Sequence, residues 1–263
     1  MKLIIISLLF FTAINSFSVL YTPIYKEYGG APFFDATNDQ ILFKDADFDW
    51  IEYGQPFTIM FWCRIGNTTG NGTAIGKRTW PLGWDIQPSG AATTNHRIKM
   101  IFAKDGSNYY QPIWELAVLE PIAGVSDWHN IAVVYNGGNF TTRNISLYVD
   151  SIDQKGETGN DGNAGTVNTI INNYDMKIGN NGDNEWFGGE IDNVAFFDCA
   201  LSTQQVSGFM YSSPVGCPNL KAYYNFDSYS QTGRVSDLSG NNKHSYSTAG
   251  TTEVKGFRRG KIK

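Results

Sequence analysis

Cleaving a glycosidic bond with carboxylates requires two of them a few ångströms apart on one surface. Alternate residues of a strand share a face, so Glu190 and Asp192 stand in that relation. Alternation makes Val194 the next position on that face, so no further acid extends the pair. Nucleophilic chemistry has less support still. None of His96, His129 and His244 lies in a G-x-S-x-G or comparable context. The residues left for recognition are aromatic. Trp80, Trp84, Tyr109, Tyr110 and Trp186 fall in or beside loop sequence, where a flat ring offers a stacking surface for a pyranose. Trp62, Trp128 and Phe196 sit in apolar strand sequence and are assigned to the core.

Composition narrows the classes further. The 263 residues carry 28 glycines, only 17% charged residues and a net charge of −5, which is far from a helical or coiled-coil composition. The one basic cluster is at 255–263, so a phosphate-tracking surface is not indicated and nucleic acid is set aside. Residues 1–18 read as a secretory signal peptide, with Lys2 before the apolar run 3–13 and small or polar residues after it. No later stretch is apolar enough to cross a bilayer as a helix, so the mature chain is expected to lack a transmembrane segment. Four N-x-[ST] sequons, at Asn67, Asn71, Asn139 and Asn144, agree with an extracellular destination.

An oxidising compartment makes one bridge and one free thiol the natural use of three cysteines. Cys199 and Cys217 bracket a short helical pattern, and closing that loop would stabilise the chain by about 3 kcal/mol in the chain-entropy account. Cys63 shares a strand face with Phe57, Ile59, Phe61 and Ile65 and reads as a small buried hydrophobe.

The elements that must position these residues are strands. Period-2 alternation recurs over 57–65, 97–102, 131–135 and 145–150. Gly/Asn/Asp-rich breaks at 66–72, 136–139 and 156–165 supply the positive-φ positions of tight connections. Only one helix is convincing. Ser202 and Gln205 form a capping box, Leu201 and Val206 a hydrophobic staple, and Val206, Phe209 and Met210 one apolar face, which predicts a helix over about 203–211. The fold class expected is all-β: a two-sheet antiparallel sandwich with one short covering helix.

Several segments carry a resemblance. Phe33-Phe34-Asp35 with Asp39, Phe57-Thr58 with Trp62, Trp128-His129 with Val133 and Tyr135, Leu147-Tyr148-Val149-Asp150, Ile178-Gly179, and Phe187-Gly188-Gly189-Glu190-Ile191-Asp192-Asn193-Val194 with Ala200-Leu201-Ser202 stand in order. Together they resemble the laminin-G-like, concanavalin-A-like jelly-roll family over about 30–212. The tail is similar to the opening of the same domain, through Leu220-Lys221-Ala222-Tyr223-Tyr224-Asn225-Phe226-Asp227 and Asp237-Leu238-Ser239-Gly240. The organisation expected is therefore a sandwich over 19–217 and a segment 218–263 that either folds back to supply missing strands or begins a truncated repeat. Fold-back is favoured, because unpaired edges and an uncovered core are costly.

What the resemblance implies is a secreted or surface-exposed module that binds glycans or glycosylated extracellular proteins, in the manner of a lectin or adhesion domain. A structural extracellular component without a small ligand is the alternative. A glycoside hydrolase is less favoured, since hydrolases of this sandwich carry E-x-D-x-x-E on one strand and this chain lacks the last acid. Calcium is the cofactor implied, with Asp39 and Asp192 as the matching positions. The competing reading has Asp192 satisfying backbone donors and Asp39 making a turn. Ala36-Thr37-Asn38, where the family prefers glycine, alters that loop.

Overall fold

Alternation along the strands decides which side chains enter the core. The computed structural model describes residues 31–66, 72–90, 96–116, 128–140, 144–156, 158–160, 167–227 and 234–247, so the expected signal peptide and the sequons at Asn67 and Asn71 lie outside the described residues. In chain order the strands are β1 (Phe33–Asp35), β2 (Ile41–Phe43), β3 (Phe57–Ile65), β4 (Ile75–Thr79), β5 (Leu82–Gly90), β6 (His96–Asp105), β7 (Asn108–Tyr110) and β8 (Pro112–Glu115). They continue as β9 (His129–Tyr135), β10 (Ile145–Val149), β11 (Ile152–Asp153), β12 (Gly159–Asn160), β13 (Met176–Ile178), β14 (Gly188–Phe197) and β15 (Leu220–Tyr224), with the helix α1 (Thr203–Tyr211) before the last.

These strands form two antiparallel sheets. One has seven strands in the order β1-β14-β3-β9-β10-β11, with β15 also on β14; the other has eight in the order β12-β8-β6-β5-β4-β13-β2, with β7 also on β6. Phe57, Ile59, Phe61, Cys63 and Ile65 of β3 enter the space between the sheets, where they join Trp84, Ile86, Met100, Phe102, Ile131, Val133 and Phe196 in one buried cluster. Burial pushes the Cys63 thiol pKa far up, and the nearby charge of Asp150 adds to it, so this cysteine is an inert apolar filler.

The other parity of β3 faces outward, and α1 covers half of it. Met60, Ala132, Val134, Phe197 and Leu220 meet Leu201, Val206 and Phe209 in a second apolar cluster. The helix begins at the capping box read from the sequence: the Ser202 hydroxyl accepts from the Gln205 amide and the Gln205 side chain accepts from the Ser202 amide.

The tail joins the sandwich. β15 runs along β14 with Val194 opposite Tyr224 and Ala195 opposite Tyr223, next to the stretch of β14 that pairs with β1. Tyr224 is fully buried, its ring 4.6 Å from that of Phe43, and its hydroxyl donates to the Lys243 carbonyl at 2.6 Å. Further on, the Leu42 amide donates to the Ser247 carbonyl at 2.8 Å, so the segment touches both sheets. Residues 218–227 and 234–247 thus extend the sandwich formed by the chain before them. Replacing Tyr224 by Ala is expected to cost about 3–5 kcal/mol, as for other large aromatic truncations, and urea unfolding followed by tryptophan fluorescence checks it. A shift below about 1 kcal/mol, typical of a surface substitution, would mean that the tail is not part of the cooperative core.

Candidate functional site

The outer face of the eight-stranded sheet is built from the parity opposite to the core. On β4 and β5, Ile75, Trp84 and Ile86 point inward, which sends Arg78, Asp85 and Gln87 outward; on β6, Lys99 stands directly opposite Gln87. The segment after β13 brings Asn181, Asp183 and Glu185 over this surface. Arg78 is 3% exposed and meets three carboxylates: Asp85 through Nε at 2.6 Å, Asp183 through Nη1 at 2.8 Å and Glu185 through Nη2 at 2.5 Å. These charges hold the Arg78 pKa above its ordinary value in spite of burial, so the guanidinium is a permanent cation.

Asp85 and Glu185 share their donors. Arg78, Gln87 Nε2 and Asn181 Nδ2 each donate to both, so the two carboxylates lie side by side. A pair at this spacing invites comparison with glycosidase carboxylates. Here Asp85 is 1% exposed and both acids are engaged by a guanidinium and two amides, so neither is placed as a proton donor or nucleophile. The network is a rigid polar floor. Two of its atoms, Asp85 Oδ1 and Gln87 Oε1, are buried without a hydrogen-bond partner.

Above this floor stands Trp80, in the turn joining β4 to β5. It is 44% exposed, its ring packs edge-on against Tyr109 of β7 at 5.2 Å, and the Arg78 guanidinium lies 5.7 Å from its centre. Both carboxylate oxygens of Asp183 accept from the Trp80 backbone amide at 2.9 Å, so the same acid holds the turn that carries the ring and the cation beneath it. Trp186 is half-buried nearby in sequence to Glu185, and its backbone bridges to Thr73.

Three of the five aromatic candidates therefore keep a surface position, and two do not. Trp84 and Tyr110 are each 1% exposed within the core, which excludes them from stacking on a ligand. The reason is parity: Tyr109 and Tyr110 are neighbours on β7, so one must face outward and the other inward. Phe196 is core as expected, whereas Trp62 is buried on the outer face of β3, outside the core clusters, and Trp128 is half-buried with Arg64 5.9 Å from its ring.

The acids singled out by sequence act locally. Asp39 Oδ2 accepts from the Asp35 amide at 2.9 Å and Asp192 Oδ1 from the Asn193 amide at 2.7 Å. Asp35 lies opposite Gly188, four residues along β14 from Asp192, or about 13 Å on a strand. The two carboxylates do not converge, and no group of three or more His, Cys, Asp or Glu side chains with metal-ligand geometry occurs among the described residues. They do not fit a shared calcium ion. Glu190 is 1% exposed and paired with Arg64. Asn139 is exposed and accepts from the Tyr53 hydroxyl, while Asn144 Nδ2 donates to the Asn139 carbonyl at 2.6 Å. Cys199 and Cys217 are separate half-buried thiols against the apolar patch under α1, and burial, with Cys217 next in effect, raises the Cys199 pKa.

A double-layered antiparallel sandwich with a polar outer sheet face defines the class, and the comparisons agree. Residues 35–207 match the laminin-G-type family model described as the concanavalin A-like lectin/glucanases superfamily, and the chain belongs to that family. Among solved structures, a candidate carbohydrate-binding protein from Bacteroides ovatus superposes with a TM-score of 0.57 at 15% identity, over 86% of this chain and 59% of that one. This chain thus spans about three-fifths of that protein's length. A heptameric SAP-like pentraxin from Limulus polyphemus has a TM-score of 0.48 at 14% identity, over 69% of this chain and 82% of its own. Domain 4 of an extracellular arabinanase from Geobacillus stearothermophilus, in complex with arabinotriose, has 0.47 at 16%, over 70% and 78%. No curated protein matches the chain. No helix among the described residues is long and apolar enough to cross a membrane.

Sequence reasoning missed Arg78, Gln87, Lys99, Asn181 and Glu185. The signal available was a charged or amide residue in the middle of an otherwise apolar strand, as at Asp85 and Lys99. Lys99 is 5% exposed, and burial lowers its pKa against the opposing pull of Asp85 and Glu185. Its charge is therefore a net cost to the folded state, fully present below its folded pKa and fading as pH rises toward the ordinary lysine value of about 10.4. Lys99→Met is expected to raise the urea midpoint at pH 7, with the advantage shrinking toward pH 10; a lower midpoint would show that Lys99 is stabilising.

Proposed function

We propose that the chain is an extracellular binding module for glycans or glycosylated proteins and that Trp80, Tyr109 and the polar floor beneath them form the ligand surface. The observation that carries this reading is the exposed Trp80 ring, packed on Tyr109 and over the Arg78 guanidinium, on a turn whose backbone Asp183 holds. Such a surface offers an apolar face for a pyranose ring beside the carboxylates of Asp183 and Glu185, each about a quarter exposed, as acceptors for its hydroxyls. Family membership supports the choice of ligand class, although this fold hosts many activities. The module acts by binding and not by catalysis, because the acids near the ring are held as acceptors and the Glu190 to Asp192 strand lacks an acid partner.

A glycan array probed with the secreted chain, with calcium and again with chelator, tests this. A defined sugar class is expected to bind, and Trp80→Ala to weaken binding by about tenfold while moving folding stability by no more than about 0.5 kcal/mol. Absence of glycan binding in both conditions would favour a structural role, and release of reducing sugar from a polysaccharide would favour a hydrolase. We also propose that Cys199 and Cys217 become bonded on secretion, since both lie on the patch under α1. Thiol titration of the denatured secreted chain should then count a single free cysteine, Cys63; three free thiols would overturn the pairing.

A further inference from the structure

The outer face of the seven-stranded sheet holds a second recess, on the opposite side of the sandwich from Trp80. It opens where α1 ends and the sheet is no longer covered, and it encloses about 40 Å³. That is room for roughly three water molecules. A whole sugar ring does not fit, but a substituent of three or four heavy atoms does.

Its polar groups are specific. Asn130 of β9 lies opposite Trp62 of β3, and Trp62 lies opposite Asp192, so Asn130 and the β14 bulge carrying Asn193 flank the indole on its two sides. Asn130 is 3% exposed, and its Nδ2 donates to the Phe61 carbonyl at 3.4 Å, which orients the amide. That orientation leaves Oδ1 buried with no hydrogen-bond partner. An acceptor left unpaired in this way costs folding free energy that a donating group from outside would recover. Across the recess, Asn193 Oδ1 accepts from the Tyr223 hydroxyl at 2.5 Å, and the Asn193 backbone is held at φ 49° by the bulge. Among the described residues no partner is recorded for the Asn193 Nδ2 group, which remains available as a donor. The walls are apolar, from Met60, Ala195 and Phe209, and Tyr211 stands at the rim, 68% exposed.

The ligand group that matches one acceptor, one donor and a small apolar wall is a secondary acetamide. Its N–H would donate to Asn130 Oδ1, its carbonyl accept from Asn193 Nδ2, and its methyl fill the space beside Ala195. We propose that this recess binds the acetamido group of an N-acetylated hexosamine, with the sugar ring lying outside on Tyr211. An acetylated lysine offers the same amide, but the exposed aromatic ring at the rim favours a flat saturated ring beyond it. This site shares no residue with the Trp80 surface and does not depend on it.

Titration of the full secreted chain with the methyl glycoside of N-acetylglucosamine, read by saturation transfer to the acetyl methyl protons and by tryptophan fluorescence, tests the proposal. The N-acetyl sugar is expected to bind at least about tenfold more tightly than methyl glucoside or glucosamine. Tyr211→Ala should weaken it by a similar factor, and Ala195→Leu, which fills the recess, should abolish it. Tyr211 is exposed at a helix end, so its variant keeps the test decisive if Ala195→Leu fails to fold. Trp80→Ala should leave this binding unchanged, which separates its outcome from that of the first surface. Equal binding of methyl glucoside, preference for an acetyl-lysine peptide over the sugar, or insensitivity to Tyr211→Ala would each overturn the assignment.

Discussion

The pairing of β14 is the constraint on which the rest of the sandwich depends. This one strand bonds to β3 along one edge and to β1 and then β15 along the other, so the start of the domain, its middle and its tail are all registered against it. Its inward residues, Ile191, Val194 and Phe196, are fully buried, which fixes the register, because a slip of one residue would turn them to solvent. The irregularity between Asp192 and Ala195 is accommodated within this register. It lets Asn193 leave the ladder without disturbing the core beneath, and a polar amide is thereby placed on a face that is otherwise covered by a helix.

The two outer faces are built on different physics. The face of the seven-stranded sheet is mostly apolar and needs α1 as a cover, so its recess exists only at the margin of that cover. The face of the eight-stranded sheet carries buried charge, and it is held by electrostatics: one guanidinium is shared among Asp85, Asp183 and Glu185, with amides filling most of the remaining acceptor positions. Buried charge of this kind contributes little net stability over apolar packing of the same volume, and breaking it is costly. It does fix geometry, and here it fixes the orientation of an exposed tryptophan. The lysine at Lys77, by contrast, is tied to Asp45, Asp49 and the Asn172 carbonyl and serves to pin loops to the sheet.

Aromatic residues show where local reading of a sequence stops. Trp80 and Trp84 are four residues apart around a turn, yet one projects into water and the other lies at the centre of the core. Trp84 shares its parity with Ile86, which was a usable signal; for the adjacent Tyr109 and Tyr110 the short strand gives no pattern to choose between them. Asp39 and Asp192 each accept from a nearby backbone amide, as the competing reading held for Asp192. Both sit in the motif positions, but the register of β1 on β14 keeps them apart.

The sequence by itself determined the fold class, the main strands, the capped helix and the family, because each rests on short-range regularities: alternation, capping chemistry and the order of motifs along the chain. It also marked Cys63 as a core residue through its strand parity. Only the tertiary structure decided which aromatics remain at the surface, that the tail lies in the same sheets as the start of the domain, and that Arg78, Asp85, Asn181 and Glu185 meet. Those outcomes depend on residues distant in the chain, such as Arg78 and Glu185 at 107 positions, being brought together by sheet pairing and by loops that cross its face, and no local pattern encodes that distance.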